Sequence, residues 1–503
     1  MLANAFSRST RRQWLGKALC AGAFLRSDAF AKAHGQSESQ TDSQIDSQTD
    51  SQAPLAFRVR SMIELTGEVH LKAQNASSIR SDGKATVARK APVESKSTLD
   101  FDQQYDLGNN EGQTRGYLYF HEAHSQITVD RHTTQTVLRD NCREIVKLPT
   151  ARGLDPAALN APLFVAEREL VNGAVDSIYL DQLLTEKDVA IADKWIVDRV
   201  SAARLLHLDA ILEGDLIVCL IDTDEEKAHL EITGKLQATA HDVASELEVR
   251  GKALMDRKGG YVSWLALQID ETREIGEAEP GFKVTAQIRV LRAPIQAMSS
   301  GKSLAEVWKE VPNASSAELL QFQSDLGFYR FLADRRWSTY RDNGEEATLR
   351  YIVNNRRIAQ CNVTNLVDFQ AGEQLTLEAF QADMERLASR TGRDVLEATE
   401  RLTSSKHRMM RITMSGSTEG IALRWVHYHI SNDSGRRLSL VFTTDESSLE
   451  LFGEQDSQIV DTLELLEWPT KLDHDSLESA ASESLEKQSA ASESASNQNS
   501  IKK

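Results

Sequence analysis

The most constraining feature of this sequence is an alternation of polar and apolar residues that recurs along its first half. The stretches "LTGEVHLKA" (65–73), "ITGKLQATA" (232–240) and "VRGKALMD" (249–256) all follow it. Successive side chains of a β-strand point to opposite faces, so these stretches predict half-buried strands. Residues 258–260, Lys-Gly-Gly, predict a hairpin turn. We therefore expect residues 55–296 to form a β-rich domain, a large antiparallel sheet that is curved or closed to a half-barrel.

One short helix is predicted inside this domain, at 199–208, where apolar residues share one face. The preceding stretch "LLTEKDVAIADKWIVD" (183–198) resembles β-rich domains of uncharacterised exported bacterial proteins, in which a Leu-Leu segment leads into a Gly-Asp-x-Trp turn. Ala192 stands here in the place of that glycine. The resemblance implies no activity.

The second half of the chain has a different pattern. A hairpin turn is predicted at Asn343-Gly344, an amphipathic helix at 375–390, and a meander follows in "HRMMRITMSG", "GIALRWVHYHIS" and "RRLSLVFTTD" before a closing segment at 458–467. This order resembles the PsbP-like α/β/α sandwich, shared by the photosystem accessory protein and by small exported bacterial proteins of the LpqN and DcrB type. The resemblance implies a largely non-enzymatic family. The expected fold class is thus α+β, with a large antiparallel β domain followed by a smaller α/β/α sandwich.

The N-terminus has the order of an export signal: a basic region, a modestly apolar run and a small-residue cleavage site. The pair Arg11-Arg12, followed after one residue by Trp14-Leu15, resembles the bacterial twin-arginine motif. Ala29 and Ala31 form the expected cleavage site. An ordinary amphipathic helix is the alternative for this stretch. Export predicts that the mature protein is periplasmic or secreted.

Low-complexity sequence flanks the predicted domains. The stretch after the signal repeats a Ser-Gln-x-Asp theme, and "SAASES" occurs twice near the end of the chain. Neither contains enough apolar residues to offset the entropy of ordering, so both are expected to be disordered. The full division is a signal at 1–33, a tether at 34–54, the β-rich domain at 55–296, a helical connector at 297–325, the PsbP-like domain at 326–468 and a tail at 469–503.

Composition limits the partners. The 503-residue chain has a formal net charge of −17. Without residues 1–33, which hold six basic residues and one acidic residue, 52 Lys and Arg face 74 Asp and Glu, a net charge of −22. Nucleic acids and anionic membranes attract basic surfaces, so neither is expected as the main partner. No later apolar run approaches the roughly 18 residues of a membrane-spanning helix, so no integral membrane protein is expected.

The cysteines do not form a recognisable site. Cys142, Cys219 and Cys361 remain after signal removal, and none belongs to a C-x-x-C or another metal-ligand spacing. Cys219 and Cys361 lie in strand-like runs, which favours small buried side chains. A single disulfide stays possible among the three. No cofactor is predicted.

Two histidine groups are candidates for metal binding. In "HEAH", His121 and His124 would point to opposite faces of a strand, so they could share an ion only across a bulge. In "WVHYH", His427 and His429 are two residues apart and would lie on one face, about 7 Å from each other. They are the only candidate metal ligands that we retain, and a histidine-aromatic packing surface is the alternative.

No nucleophile elbow, Walker loop or dinucleotide-binding glycine fingerprint occurs in the sequence. The leading hypothesis is therefore an exported, soluble, non-enzymatic protein that binds a partner or ligand in the bacterial envelope. One alternative is a carrier of a small apolar ligand, which a half-closed sheet could bury. Another is a metal-dependent enzyme built on His427 and His429.

Overall fold

A computed structural model describes residues 56–71, 89–108, 114–150, 153–277, 279–311 and 319–467. The candidate export-signal residues Arg11, Arg12, Trp14, Leu15, Ala29 and Ala31 lie outside these ranges, as do the segments 1–33, 34–54 and 469–503. The predictions made for them therefore stay predictions.

Strands outnumber helices throughout the described part of the chain. The strands are β1 (Ala56–Leu71), β2 (Arg89–Asp106), β3 (Arg115–Val129), β4 (His132–Val137), β5 (Glu144–Thr150), β6 (Gly153–Ala158), β7 (Lys194–Ile196), β8 (Ala210–Glu213), β9 (Leu216–Thr223), β10 (Lys227–Ala240), β11 (Val243–Asp256), β12 (Tyr261–Arg273), β13 (Gly281–Ile295), β14 (Leu319–Ser324), β15 (Tyr329–Asp334), β16 (Trp337–Asp342), β17 (Glu346–Val353), β18 (Arg356–Asn365), β19 (Asp394–Leu402), β20 (Arg408–Thr418), β21 (Ile421–Ser431), β22 (Arg437–Asp445) and β23 (Glu464–Leu465). The α-helices are α1 (Val165–Asn172), α2 (Arg199–Leu205), α3 (Leu304–Val307), α4 (Leu377–Thr391), α5 (Leu449–Phe452) and α6 (Gln455–Asp461), and the 3-10 helices are Asp140–Cys142, Ser177–Leu183 and Glu446–Ser448.

The β-rich region forms one antiparallel sheet of 13 strands, in the order β6-β5-β3-β2-β1-β13-β12-β11-β10-β9-β7, with β4 beside β3 and β8 beside β10. Its first and last long strands, β1 and β13, pair along almost their whole length, from Ala56 with Ile295 to His70 with Gly281. The alternation in the sequence gives this sheet two different faces. Apolar side chains line the inner face, and polar side chains line the outer face.

A helical insert covers the inner face. It contains α1, the 3-10 helix Ser177–Leu183 and α2, and its apolar side chains share one hydrophobic core with eleven strands of the sheet. The helix predicted at 199–208 is confirmed as α2, which is capped by Asp198 through a hydrogen bond from the Ser201 N–H at 2.9 Å.

A buried ionic network fastens the insert to the sheet. The Arg292 guanidinium, fully buried on β13, forms an ion pair with Asp181 of the insert and lies 4.2 Å from the centre of the Phe57 ring. The same carboxylate accepts hydrogen bonds from the Tyr105 hydroxyl at 2.9 Å and the Val262 N–H at 2.8 Å. Burial is the main cause that raises the pKa of Tyr105 to about 12, so its hydroxyl remains a donor.

The second domain is built on a seven-stranded antiparallel sheet, in the order β16-β17-β18-β22-β21-β20-β19. Helix α4 packs on one face, over β19 and β20. The other face packs against α5, α6 and a separate three-stranded sheet, β14-β15-β23. The turns predicted at Asn343-Gly344 and at residues 258–260 are confirmed as hairpins, and the helix predicted at 375–390 is confirmed as α4.

The expected fold class, α+β with an α/β/α sandwich as its second domain, is wrong. Described residues are mostly strands, and those of the second domain contain only one long helix. Helix α4 has 15 residues and lies on one face, whereas α5 and α6 on the other face have four and seven residues. Helix α6 ends at Asp461, inside the closing segment expected at 458–467 as a helix or a final strand. The chain then forms β23, which pairs with β15. Strands thus occupy much of the layer in which helices were expected.

The predicted helical connector also differs in detail. Within 297–325 the described residues contain only α3, of four residues, and strand β14. Contacts join the two domains directly: Arg335, between β15 and β16, forms an ion pair with Asp155 of β6, which also binds Arg168 of α1 at 2.5 Å. Among the described helices, none combines the length and the apolar character that a membrane-spanning helix requires.

Candidate functional site

A concavity on the outer face of the 13-stranded sheet has a volume of about 970 Å³. Two rows of outward side chains cross β1, β13, β12, β11 and β10 and form its floor. The first row is Glu68, Lys283, Thr272, Glu246 and Gln237, and the second row is Thr66, Thr285, Asp270, Glu248 and Lys235. We call this concavity the outer groove.

Two glycines allow the backbone to form the outer groove. Gly214, just after β8, has φ of 84°, and a Cβ there would overlap the Lys235 carbonyl oxygen of β10. Gly67 in the middle of β1 lies against β13 in the same way, and a Cβ would overlap the Lys283 carbonyl oxygen. Only glycine fits such close backbone approaches. The strands can therefore bend tightly at both sides of the groove.

The outer groove is acidic. Six carboxylates line it, those of Glu68, Glu213, Glu246, Glu248, Asp270 and Glu271, whereas only two lysines do, Lys235 and Lys283. Glu271 is paired with Arg273, and hydrogen bonds or ion pairs also hold three of the other carboxylates. Asp270 accepts from the Thr285 hydroxyl at 2.5 Å, which is the main cause of its lowered pKa.

Two further carboxylates of the groove, those of Glu68 and Glu248, form exposed ion pairs. Glu68 lies 3.2 Å from the Lys90 ammonium, and Glu248 lies 3.2 Å from the Arg250 guanidinium. Within the described ranges, the carboxylates of Glu213 and Glu246 form no hydrogen bond or ion pair. Unpaired carboxylates in a concave surface concentrate negative potential, because the low-dielectric walls focus their field.

The inner face below the outer groove is closed. A cavity of about 60 Å³ lies there, lined mainly by apolar side chains such as Ile63, Leu247 and Ile288. Arg273 and Glu271 form an ion pair of 2.5 Å at its side. Ligand pockets for drug-sized molecules measure roughly 300 to 1,000 Å³. This cavity is therefore too small for an acyl chain while the helical insert stays in place.

His427 and His429 lie where the sequence predicts, on one face of β21. Both are buried beneath α4, and the Phe380 ring of that helix is 5.8 Å from the His429 ring. Burial is the main cause that lowers the pKa of each to about 4. No group of three or more His, Cys, Asp or Glu side chains in the described ranges is placed to hold a metal ion. The metal assignment therefore stays a prediction.

The "HEAH" histidines have partners other than a metal. A bulge does occur in β3, because the pairing with β2 shifts between Asp100 and Phe101. His121 lies 3.0 Å from Asp102, and His124 lies 3.1 Å from Glu122. Each ring therefore pairs with a different carboxylate.

The three cysteines are free and buried. Burial is the main cause that raises the pKa of the Cys142 thiol to about 11 and that of the Cys361 thiol well above its usual value. A reactive cysteine is more exposed and has a lowered pKa. These thiols thus have the properties of packing residues.

Sequence reasoning did not identify the outer groove. The charged residues of each strand are visible as the polar half of the alternation, for example Glu246 and Glu248 in β11. Their grouping depends on the pairing of β1 with β13, strands that are far apart in the chain. No local pattern specifies that pairing.

Comparison with known proteins assigns no family. No family model matches the chain, and no curated protein matches it. Solved structures with partial similarity include a protein of Bacteroides thetaiotaomicron, at 10% identity and a TM-score of 0.21, covering 29% of this chain and 48% of that one.

Two further solved structures show similar coverage. The Tle4-Tli4 complex matches at 11% identity and a TM-score of 0.19, covering 43% of this chain and 73% of that one. The T6SS immunity protein TplEi of Pseudomonas aeruginosa, solved with a peptide, matches at 10% identity and a TM-score of 0.19, covering 46% of this chain and 95% of that one. Similarities this weak carry no argument about fold or function.

Proposed function

We propose that this protein is an exported, non-enzymatic binding protein of the bacterial envelope, and that its outer groove binds a basic segment of a partner protein. The observation that carries the proposal is the concentration of six carboxylates, two of them unpaired among the described residues, in a concavity of about 970 Å³.

The size of the outer groove supports an extended peptide segment as the occupant. Its floor spans five neighbouring strands. At about 4.8 Å between strands, the floor is about 19 Å wide, which matches about six residues of extended chain at 3.3 Å each. Its polar floor suits a peptide backbone, which needs hydrogen-bond partners when it leaves water.

The charge of the groove supports a basic occupant. A Lys or Arg side chain of the partner would pair with Glu213 or Glu246, which have no competing cation among the described residues. Lys235 and Lys283 lie within the same rows and would disfavour cations at their own positions. Such a charge pattern contributes more to association rate and specificity than to affinity.

The two alternatives from the sequence have less support. An apolar ligand on the inner face would have about 60 Å³ available, far below the volume of an acyl-chain site. A metal-dependent enzyme at His427 and His429 would need further ligands, and no third His, Cys, Asp or Glu completes such a group in the described part of the chain.

Site-specific photo-crosslinking tests the proposal in cells that export the protein. In one variant a photoreactive amino acid replaces Thr272 in the outer groove. In the matched control it replaces Thr233, an exposed threonine of β10 on the same face of the sheet but outside the groove. We expect a partner adduct from position 272, joined to a segment rich in Lys and Arg, and none from position 233. Equal adducts from both positions, no adduct from position 272, or attachment to an acidic or apolar segment would each contradict the proposal.

A further inference from the structure

The buried face of the second domain beneath α4 contains polar groups that its own packing leaves unused. His427 and His429 are 8% and 3% exposed, and they lie among the apolar side chains of β20, β21 and α4. Nε2 of His427 and both ring nitrogens of His429 have no hydrogen-bond partner among the described residues. A buried polar group without a partner costs about 1 to 3 kcal/mol, so three of them in one place point to a missing ligand.

A methionine lies directly beside the two histidines. Met410 of β20 is the cross-strand partner of His429 and is fully buried. Side chains of such a pair lie on one face with their Cβ atoms about 5 Å apart. His427 is two residues from His429 on the same strand, so its Cβ is a diagonal neighbour of Met410 at about 7 to 8 Å. The two imidazoles of β21 and the thioether of β20 can thus reach one point between the three side chains.

We infer that His427, His429 and Met410 bind a copper(I) ion beneath α4. Two imidazoles and a thioether form a soft donor set, which selects Cu⁺ over the oxygen-preferring cations. This role is independent of the partner binding proposed for the outer groove.

The electrostatic surroundings favour an ion of low charge. Arg393 acts on His427, whereas Arg437 and Arg408 act on His429, and no carboxylate is among the groups that act on either histidine. A divalent ion would meet twice the repulsion from these arginines that a univalent ion meets.

Helix α4 is lightly attached, which gives the ion a route to the site. Only two of its side chains are buried, Phe380 and Ala388, and its other residues are partly or fully exposed. Movement of Phe380 away from the His429 ring would open the site without unfolding the sheet.

A competition titration tests the copper site. Purified protein is titrated anaerobically with Cu⁺ against bicinchoninate, a chromogenic chelator of that ion. We expect the protein to withhold one equivalent from the chelator, and X-ray absorption spectra of the loaded protein to contain a sulfur shell. Met410→Leu removes the sulfur and keeps the size, so we expect binding to weaken by about tenfold or more.

Met409→Leu is the matched control. Met409 is equally buried on the same strand, but it faces the opposite side of the sheet, in the core beside Tyr428. Both exchanges conserve volume and are expected to cost less than about 1.5 kcal/mol, which thermal unfolding checks. The inference is overturned if no Cu⁺ is withheld, if Met410→Leu binds like wild type or like Met409→Leu, or if Zn²⁺ binds as tightly as Cu⁺.

Discussion

The two faces of the 13-stranded sheet use charged side chains in opposite ways. On the inner face, the Arg292 guanidinium is fully buried and its partners are all part of the same domain: Asp181, Tyr105 and the Val262 carbonyl. On the outer face, Glu213 and Glu246 are exposed in a concavity without a partner among the described residues. The same alternating sequence produces both faces.

This contrast separates the residues that hold the fold together from those that are available to bind. A buried charge must be paired within the protein, because desolvation costs several kcal/mol for each ion. An exposed charge has no such requirement and adds little to stability. Substitutions of charged side chains on the inner face should therefore change the free energy of unfolding, whereas substitutions of exposed charged side chains in the outer groove should change binding alone.

The largest effect is expected for Arg292→Met. Its loss leaves the Asp181 carboxylate without its ion pair beneath the insert, which typically costs about 3 to 5 kcal/mol. Chemical denaturation measures the change in the free energy of unfolding. Arg289→Met, an exposed arginine on the outer face of the same strand, is the control and should cost less than about 0.5 kcal/mol. Equal costs for the two variants would remove the distinction between the faces.

A pH effect of similar origin is expected at His207, beneath the insert. Burial lowers its pKa in the folded state to about 4, in surroundings that contain Lys147, Asp176 and Arg168. The unfolded state, with a histidine pKa of about 6.5, therefore binds more protons between pH 6.5 and pH 4. The stabilising contribution of neutral His207 is complete above pH 6.5. As the pH falls toward 4, this contribution is lost and the free energy of unfolding decreases by roughly 3 kcal/mol.

The His207→Asn variant isolates this contribution. Asparagine tolerates the left-handed backbone of this position, where φ is 52°. Denaturant unfolding at several pH values should give a shallower decline below pH 6.5 for the variant than for wild type. If the free energies of unfolding of the variant and of wild type decreased in parallel below pH 6.5, burial of His207 would not be the cause of the pH effect.

A smaller effect is expected for Gly214→Ala at the edge of the outer groove. The strained φ and the overlap of the new Cβ with the Lys235 carbonyl oxygen should cost about 1 to 3 kcal/mol. Gly260→Ala is the control, because Gly260 also has a positive φ of 68° but nothing within 4 Å of the added Cβ. Thermal unfolding should rank Gly214→Ala as the more destabilising variant. The reverse order would show that the close approach of β8 and β10 is unimportant.

Local features of the fold could be predicted from the sequence. The turn at Asn343-Gly344 follows from a glycine, which adopts a positive φ there, and α4 follows from its apolar stripe. The shared face of His427 and His429 follows from their spacing in a strand.

Features that depend on distant pairing could not be predicted. Neither the outer groove nor the position of Met410 beside His429 has a local signature, because each requires the register of neighbouring strands. The fold class failed for a related reason. The closing segment 458–467 suits either a helix or a strand, and its division into the end of α6 and strand β23, which pairs with β15, is a tertiary feature.

The most direct test of the binding role reverses charge in the outer groove. Glu246→Lys with Glu248→Lys changes the groove, and Glu94→Lys with Glu231→Lys makes the same change in net charge elsewhere on exposed strand positions. Each pair is combined with the photoreactive residue at position 272. The groove pair should abolish the partner adduct and leave the melting temperature nearly unchanged, while the control pair keeps the adduct. An adduct that survives reversal of the groove charges would contradict the proposed binding site.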